Sequence, residues 1–156
     1  MSHFIGSVDA KADTKGRLFI PAQFRKQLQT LGEEKLIMKK DVFQKCLTLS
    51  SESEWGKDLA ELQAKLNKWN AKHQLILRQF VSDVEIIIPD SNGRILIPKR
   101  YMQMAEIEAD VTFIGVSTKI EIWAKGKEKE TFMEPEVFGA ELEKIMQKDL
   151  MDLNDE

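Results

Sequence analysis

A nine-residue motif that occurs twice constrains this chain more than any other feature. Residues 13–21 read DTKGRLFIP and residues 90–98 read DSNGRILIP. One constant offset separates every aligned pair, and the copies share their Asp, Gly, Arg, Ile and Pro positions. Repeated supersecondary units bury their apolar faces against one another, so the repeat predicts one structural element used twice around a shared core.

Each copy predicts a tight turn, a short strand and a helix, in that order. An Asp accepts hydrogen bonds from N–H groups two residues on, and a Gly accepts positive φ, so a turn is expected from Asp13 to Gly16. The alternating residues 17–20 that follow are typical of a strand, which Pro21 ends. The apolar residues after Pro21 recur at helical spacing. Residues 7–12 are expected to form the first strand and to pair with residues 18–20 as a hairpin.

The segments outside the motifs predict further strands and two helical regions. The strands are expected at residues 36–38, 46–49, 84–88, 111–114 and 120–123. Between the copies, Ser51 followed by Glu54 is a capping-box signal for a helix. An apolar stripe then runs to Phe80 at helical spacing, with Asn67 and Asn70 as places where the helix could divide into two antiparallel pieces.

Composition excludes several classes of protein. The hydrophobic content of 42% is ordinary for a globular chain, and no apolar run approaches the ~20 residues of a membrane span. The first residues show no signal-peptide pattern, so a cytoplasmic location is expected. The single Cys46 has no partner for an internal disulfide.

The net charge of −3 is distributed very unevenly. Residues 1–48 carry +4, residues 49–80 carry +1, residues 81–126 carry −2 and residues 127–156 carry −6. Such polarity favours a basic binding face in the first part of the chain. The acidic tail, for which a C-terminal helix is expected, has two interpretations: a segment that competes with nucleic acid, or an ordinary solvated tail.

No pattern indicates an active site. His3 and His73 are isolated, no set of residues has metal-ligand spacing, and no nucleophile motif or phosphate-binding glycine loop occurs. We therefore expect neither a catalytic site nor a metal, cofactor or small-molecule substrate. An Asp beside an Arg in a tight turn is more typical of a turn-stabilising carboxylate than of acid-base catalysis.

Double-stranded DNA is the partner that the first copy favours. Five cations lie within sixteen residues: Lys11, Lys15, Arg17, Arg25 and Lys26. A guanidinium held by Asp13 can present its remaining N–H groups to a guanine edge, so Arg17 is predicted to read a base while Lys15 and Lys11 contact phosphates. The alternative, an Arg17 that only forms a salt bridge to stiffen the turn, stays open.

The doubled motif, preceded by His3-Phe4-Ile5-Gly6, resembles the MraZ family of bacterial transcriptional regulators, whose two motifs belong to AbrB-type domains. The resemblance covers roughly residues 3–125. It implies an α+β fold: a double-psi (swapped-hairpin, AbrB-like) β-barrel built from two tandem repeats, with a helical insertion and a C-terminal helix. The expected divisions are an AbrB-like repeat at 5–50, a helical connector at 51–81, a second repeat at 82–126 and an acidic helical tail at 127–156.

The resemblance also implies a function and a set of contact residues. Its D-x-x-x-R segment is the DNA-contacting element, which maps onto Asp13 and Arg17, and onto Asp90 and Arg94, with each Asp orienting its Arg. Asn92 stands where the first copy has Lys15, so the second copy is the weaker candidate.

In that family the protein is a ring-shaped homo-oligomer that binds direct repeats upstream of its own division and cell-wall gene cluster, usually as a repressor, so a nucleoid-associated location is expected. Two alternatives remain: an antitoxin-like protein-interaction module without specific DNA readout, and a purely structural ring.

Overall fold

The computed structural model describes residues 3–154, with side chains described up to residue 147. The strands of the described chain are β1 Phe4–Lys11, β2 Arg17–Phe19, β3 Leu36–Lys40, β4 Leu47–Ser51, β5 Val84–Ile87, β6 Arg94–Leu96, β7 Asp110–Ser117 and β8 Lys119–Ala124. The helices are α1 Ala22–Leu31, α2 Glu52–Lys65, α3 Ala71–Ser82, α4 Lys99–Met104 and α5 Pro135–Asn154, with a 3-10 helix at Lys127–Thr131. The predicted α+β fold is confirmed.

The two copies of the motif exchange their first strands. The larger sheet is antiparallel, in the order β1-β7-β8-β4-β3-β5. β1 of the first copy pairs with β7 of the second, and β5 of the second copy pairs with β3 of the first. Neither copy therefore completes its sheet without the other, and a single hydrophobic core contains residues of both.

The motif strands β2 and β6 pair with each other in a separate two-stranded ribbon. Leu18 lies opposite Ile95 in this ribbon, and both side chains are buried in the shared core. Two further hydrogen bonds extend the pairing: the Ile20 N–H donates to the Gly93 carbonyl at 3.1 Å, and the Ile97 N–H donates to the Gly16 carbonyl at 2.9 Å.

The predicted hairpin between residues 7–12 and residues 18–20 is wrong. The turn at Asp13 does close, with its N–H donating to the Arg17 carbonyl at 2.9 Å. However, β1 pairs along its whole length with β7, and β2 pairs with β6. A hairpin within one copy would leave the backbone of β7 without its partner on that side, and unpaired backbone groups are costly.

The larger sheet is open within the described residues. β1 and β5 form its two ends and do not pair with each other. The hydrogen bonding does not join these ends into a closed barrel, so the double-psi barrel stays a prediction.

The region between the copies forms a helical hairpin, as the asparagines suggested. The Ser51 side chain caps α2 by accepting from the Glu54 N–H at 3.2 Å, and Asn70 caps α3 by accepting from the N–H groups of Lys72 and His73. Trp55, near the start of α2, stacks on Phe80, near the end of α3, with ring centroids 5.2 Å apart. The helices therefore run antiparallel.

The chain divides into two compact units, Met1–Gly126 and Lys127–Glu156. The predicted C-terminal helix is present as α5 in the second unit. In the part of α5 whose side chains are described, these large apolar residues are exposed in the single chain: Val137, Phe138, Leu142, Ile145 and Met146. None of the helices in the described part of the chain is both long and apolar enough to cross a lipid bilayer.

The buried turn glycine Gly16 generates a stability prediction. Its φ is +85°, and a Cβ at this position would lie 2.8 Å from the Ile97 carbonyl oxygen. We expect Gly16→Ala to lower the free energy of unfolding by about 1–3 kcal/mol because the left-handed backbone and the contact both oppose a side chain. Urea unfolding measures the change.

Gly56 provides the matched control. It lies within α2, and a Cβ there would meet nothing within 4 Å. Gly56→Ala should stabilise the protein by about 0.5–1 kcal/mol, because alanine loses less backbone entropy in a helix. Equal effects of the two substitutions would contradict the interpretation of Gly16.

Candidate nucleic-acid interface

The first motif turn is held by one carboxylate. Asp13 Oδ1 accepts from the backbone N–H groups of Lys15 and Arg17, each at 2.9 Å. Asp13 Oδ2 accepts from Arg17 Nε at 2.7 Å. The Gly16 N–H closes the turn on the Asp13 carbonyl at 3.0 Å. A single side chain thus fixes both the backbone reversal and the arginine that follows it.

The second motif turn has the same geometry. Asp90 Oδ1 accepts from the N–H groups of Asn92 and Arg94, each at 2.9 Å, and Oδ2 accepts from Arg94 Nε at 2.8 Å. The Gly93 N–H donates to the Asp90 carbonyl at 3.0 Å. The repeat in the sequence therefore corresponds to a repeat in atomic detail.

Both arginines are held by Nε only. Their side chains are 41% and 31% exposed for Arg17 and Arg94, respectively. Within the described residues, no hydrogen bond engages the terminal amino groups of either guanidinium. An arginine held in this way keeps a rigid pair of N–H donors for a planar, two-acceptor ligand.

The two arginines share one face of the β2–β6 ribbon. Arg17 lies opposite Leu96, and Phe19 lies opposite Arg94. Because alternate residues of a strand point to the same side, these four side chains form one patch, called here the ribbon face. The arginines occupy its diagonal corners, and the Arg94 guanidinium lies 5.8 Å from the centroid of the Phe19 ring.

The ribbon face is open in the single chain. Phe19 is 55% and Leu96 is 56% exposed, whereas Leu18 and Ile95 on the opposite face are buried. An open patch of two arginines and two apolar side chains is suited to contact with another macromolecule.

The other predicted contact residues lie around the turns. Lys15 and Asn92 occupy equivalent exposed positions at the two turn tips. Lys11 is exposed at the end of β1, directly opposite Asp110 of β7, and within the described residues no hydrogen bond or ion pair joins its side chain to the Asp13 turn. The structure therefore places Lys15 in the turn that holds the first arginine, whereas Lys11 lies beside an acidic residue.

Arg25, which the sequence grouped with the first copy, lies against the second turn. Its side chain contacts Gly93 of that turn. No local signal predicts this contact, because it depends on how the two copies pack together.

Hydrogen bonding keeps both turn carboxylates ionised. The pKa of Asp13 is lowered from its ordinary value of 3.8, chiefly by the Arg17 backbone N–H, with the Arg17 side chain and the Lys15 N–H adding to the effect. The pKa of Asp90 is lowered in the same way by Arg94 and Asn92. The Asp–Arg pairs are therefore charged at neutral pH.

One group that could ligate a metal ion was missed by the sequence analysis. Atoms of Asp41, Cys46 and Glu121 lie within 4.8 Å of one another. Each carboxylate already has a structural role: Asp41 accepts from the N–H groups of Phe43 and Gln44, and Glu121 accepts from Trp123 Nε1. Burial raises the pKa of the Cys46 thiol, which favours its protonated form over the thiolate that metals bind. Asp41 thus stabilises its own loop and Glu121 orients a side chain of its own strand, which accounts for both carboxylates without a metal ion.

The origin of the lowered pKa values can be tested by titrating the carboxyl groups by NMR. We expect Asp13 and Asp90 to titrate below 3.8. The stability they contribute is complete above that ordinary value and should be lost as the pH falls through their lowered pKa values.

In Arg17→Ala, the pKa of Asp13 should rise only part of the way, because the backbone donors remain. Asp90 is the internal control and should not change. A return of Asp13 to 3.8 would show that the guanidinium, not the turn, holds its charge.

Comparison with known proteins agrees with the duplicated architecture. A family model described as "MraZ protein, putative antitoxin-like" matches residues 3–79 and 84–132. A protein of Bacteroides thetaiotaomicron named transcriptional regulator MraZ is 64% identical over 146 residues, which is 94% of each chain. Proteins of the same name in Bacteroides fragilis and Caldanaerobacter subterraneus are 62% and 38% identical, covering 100% and 78% of this chain and 99% and 80% of their own. The chain belongs to the MraZ family.

Proposed function

We propose that this protein is a transcriptional regulator that binds double-stranded DNA sequence-specifically through the ribbon face. The observation that carries the proposal is the pair of arginines held by Nε, with free guanidinium ends on one exposed face. The names of its relatives, transcriptional regulators, support the same function.

The shape of the ribbon suits the major groove of B-DNA, which admits a two-stranded β-ribbon. In this proposal, Arg17 and Arg94 each donate two hydrogen bonds to the O6 and N7 atoms of a guanine. Such a bidentate pair contributes about 1–3 kcal/mol of discrimination against the wrong base. Asp13 and Asp90 orient the arginines, which lowers the conformational entropy lost on binding.

The residues around the ribbon face contribute positioning rather than base readout. Lys15 contacts a phosphate at the first turn, and Lys11 contacts one farther along β1, although its neighbour Asp110 weakens that contact. Asn92 hydrogen-bonds the DNA at the second turn without adding charge. Contacts of this kind set the register of the protein on the duplex.

A single chain offers too few cations for strong binding at physiological salt. A few phosphate contacts give a shallow salt dependence and weak, largely non-specific affinity. We therefore propose a homo-oligomer, a ring by its resemblance to the family, whose ribbon faces bind repeated promoter sites together. Linking several sites raises the effective concentration of each additional contact.

The resemblance to the family also supports the genomic target. We propose direct repeats upstream of the protein's own gene, in a division and cell-wall gene cluster, with repression as the outcome and with the protein on the nucleoid in the cytoplasm. We further propose that residues 5–50 and 82–126 are two AbrB-like repeats of one double-psi barrel. The exchange of β1 and β5 between copies supports this, since each repeat completes the sheet of the other.

A second candidate function is an antitoxin-like interaction with a basic protein. Two observations favour it: the net charge of −6 over residues 127–156, and the exposed apolar side chains of α5. Co-purification of a basic partner, together with no affinity for the protein's own promoter DNA, would support this function over the first.

Substitution of the first arginine tests the DNA-binding proposal. We expect Arg17→Ala to reduce affinity for promoter repeats at least tenfold in a gel-shift assay, because each subunit loses a bidentate base contact. The oligomer should stay intact, since Asp13 keeps its backbone donors.

Arg78 provides the control for charge. It is exposed on α3, outside both motifs in the sequence, so Arg78→Ala should leave promoter binding close to that of the unmodified protein. Unchanged binding by Arg17→Ala would reject the role assigned to that arginine.

Substitutions on the exposed face of α5 test whether the protein forms an oligomer. Replacing Phe138 and Ile145, which are 58% and 62% exposed, with serine should shift the protein to smaller species in sedimentation velocity. The reason is that an unpartnered apolar face gains its stability by burial between subunits. Glu141→Ser on the same helix is the control and should sediment like the unmodified chain. A monomeric unmodified chain would contradict the oligomer.

A further inference from the structure

The contact between Arg25 and the second turn is close and specific. A Cβ at Gly93 would lie 2.6 Å from Arg25 Cδ and 2.7 Å from Arg25 Nη1. The Arg25 side chain therefore packs directly on Gly93, in the space that a side chain at position 93 would fill. Because Gly93 belongs to the turn that carries Asn92 and precedes Arg94, a guanidinium from a first-copy helix lies against the turn of the second copy.

The equivalent position in the other copy holds an uncharged residue. Met102 follows Arg25 at the same offset that relates the two motifs. Its Sδ would lie 3.3 Å from a Cβ at Gly16, so it covers the first turn as Arg25 covers the second. Each turn is thus covered by a side chain of the opposite copy, methionine in one case and arginine in the other.

The two turns obtain a cation from different positions. The first turn has Lys15 at its tip and Met102 over its glycine, whereas the second has Asn92 at its tip and Arg25 over its glycine. Each turn therefore has one cation besides its Asp-held arginine. The cation of the second turn comes from a different part of the chain.

The guanidinium of Arg25 is not engaged by an acidic partner. Arg25 as a residue is partly buried, and within the described residues its guanidinium forms no ion pair or hydrogen bond. Arg25, Asp90 and Glu33 line one surface groove. Asp90 is engaged by Arg94, and Glu33 accepts from the Ser53 hydroxyl at 2.7 Å. Glu34 also lines this groove, so the site is not uniformly basic.

We propose that Arg25 is the phosphate-contacting residue of the second turn, replacing in space the lysine that this turn lacks in sequence. The proposal rests on the proposed function, DNA binding through the ribbon face. It assigns the second turn a full part in binding, although its own residues carry one cation fewer. An arginine that is partly buried and whose stem packs against the turn glycine is well suited to a phosphate oxygen because little side-chain entropy is lost on contact.

The test is the salt dependence of affinity for a promoter duplex, measured by fluorescence anisotropy. Arg25→Met should fold, since methionine occupies the equivalent position over Gly16. It should weaken binding and make the negative slope of log affinity against log salt shallower by roughly 0.9 for each bound subunit, because one phosphate contact is lost. Arg78→Met, with the same change of charge on α3, should leave the slope unchanged.

A double substitution separates a phosphate contact from a structural role. Arg25→Met combined with Asn92→Lys gives the second turn the composition of the first, methionine over the glycine and lysine at the tip. The salt slope should return to that of the unmodified protein. Thermal unfolding of each variant shows whether a loss of binding reflects a loss of fold.

Several outcomes would overturn the proposal. If Arg25→Met keeps the original slope while Arg17→Ala loses binding, Arg25 is not a contact but the ribbon face still binds DNA. If Arg25→Met loses affinity and Asn92→Lys does not restore the slope, Arg25 acts by supporting the turn. If the unmodified protein binds no DNA, the proposed function itself fails, and the role of Arg25 fails with it.

Discussion

An aspartate that accepts hydrogen bonds both from its own turn and from the arginine four residues on is the interaction on which this structure depends. Asp13 and Asp90 each receive two backbone N–H groups and one guanidinium Nε. The backbone donors hold the carboxylate charged, and the charged carboxylate in turn orients the arginine. The same contact that shapes the turn therefore also prepares the side chain that faces outward, so folding and presentation of the arginine cannot be separated.

The exchange of strands between copies places these two turns on one surface. A unit the size of one repeat buries too little of its surface to be more than marginally stable alone, and here each copy lends its first strand to the sheet of the other. Pairing of β2 with β6 then puts Leu18 and Ile95 into the shared core and leaves Arg17, Phe19, Arg94 and Leu96 outside. The core and the ribbon face are opposite sides of the same short ribbon, so what stabilises the fold also spaces the two arginines.

The two copies are equal in geometry but not in chemistry. The Nε–Oδ2 distance is 2.7 Å in the first Asp–Arg pair and 2.8 Å in the second, yet the residues that cover and flank the turns differ. Lys15 and Met102 at one turn correspond to Asn92 and Arg25 at the other. A duplicated fold can place the cation of a turn at either of two positions, because each turn contacts the opposite copy. A change in one repeat can therefore compensate for a change in the other.

Local chemistry is what the sequence alone determined. The Asp–Gly turns, the alternation that buries Leu18, the caps at Ser51 and Asn70 and the division of the connector all depend on residues within a few positions of one another. Tertiary structure alone decided the pairing of β1 with β7 instead of β2, the exposure of Phe19 and the position of Arg25 over Gly93. These contacts join distant parts of the chain, and the periodicity of a strand gives the face it buries but not the strand it pairs with.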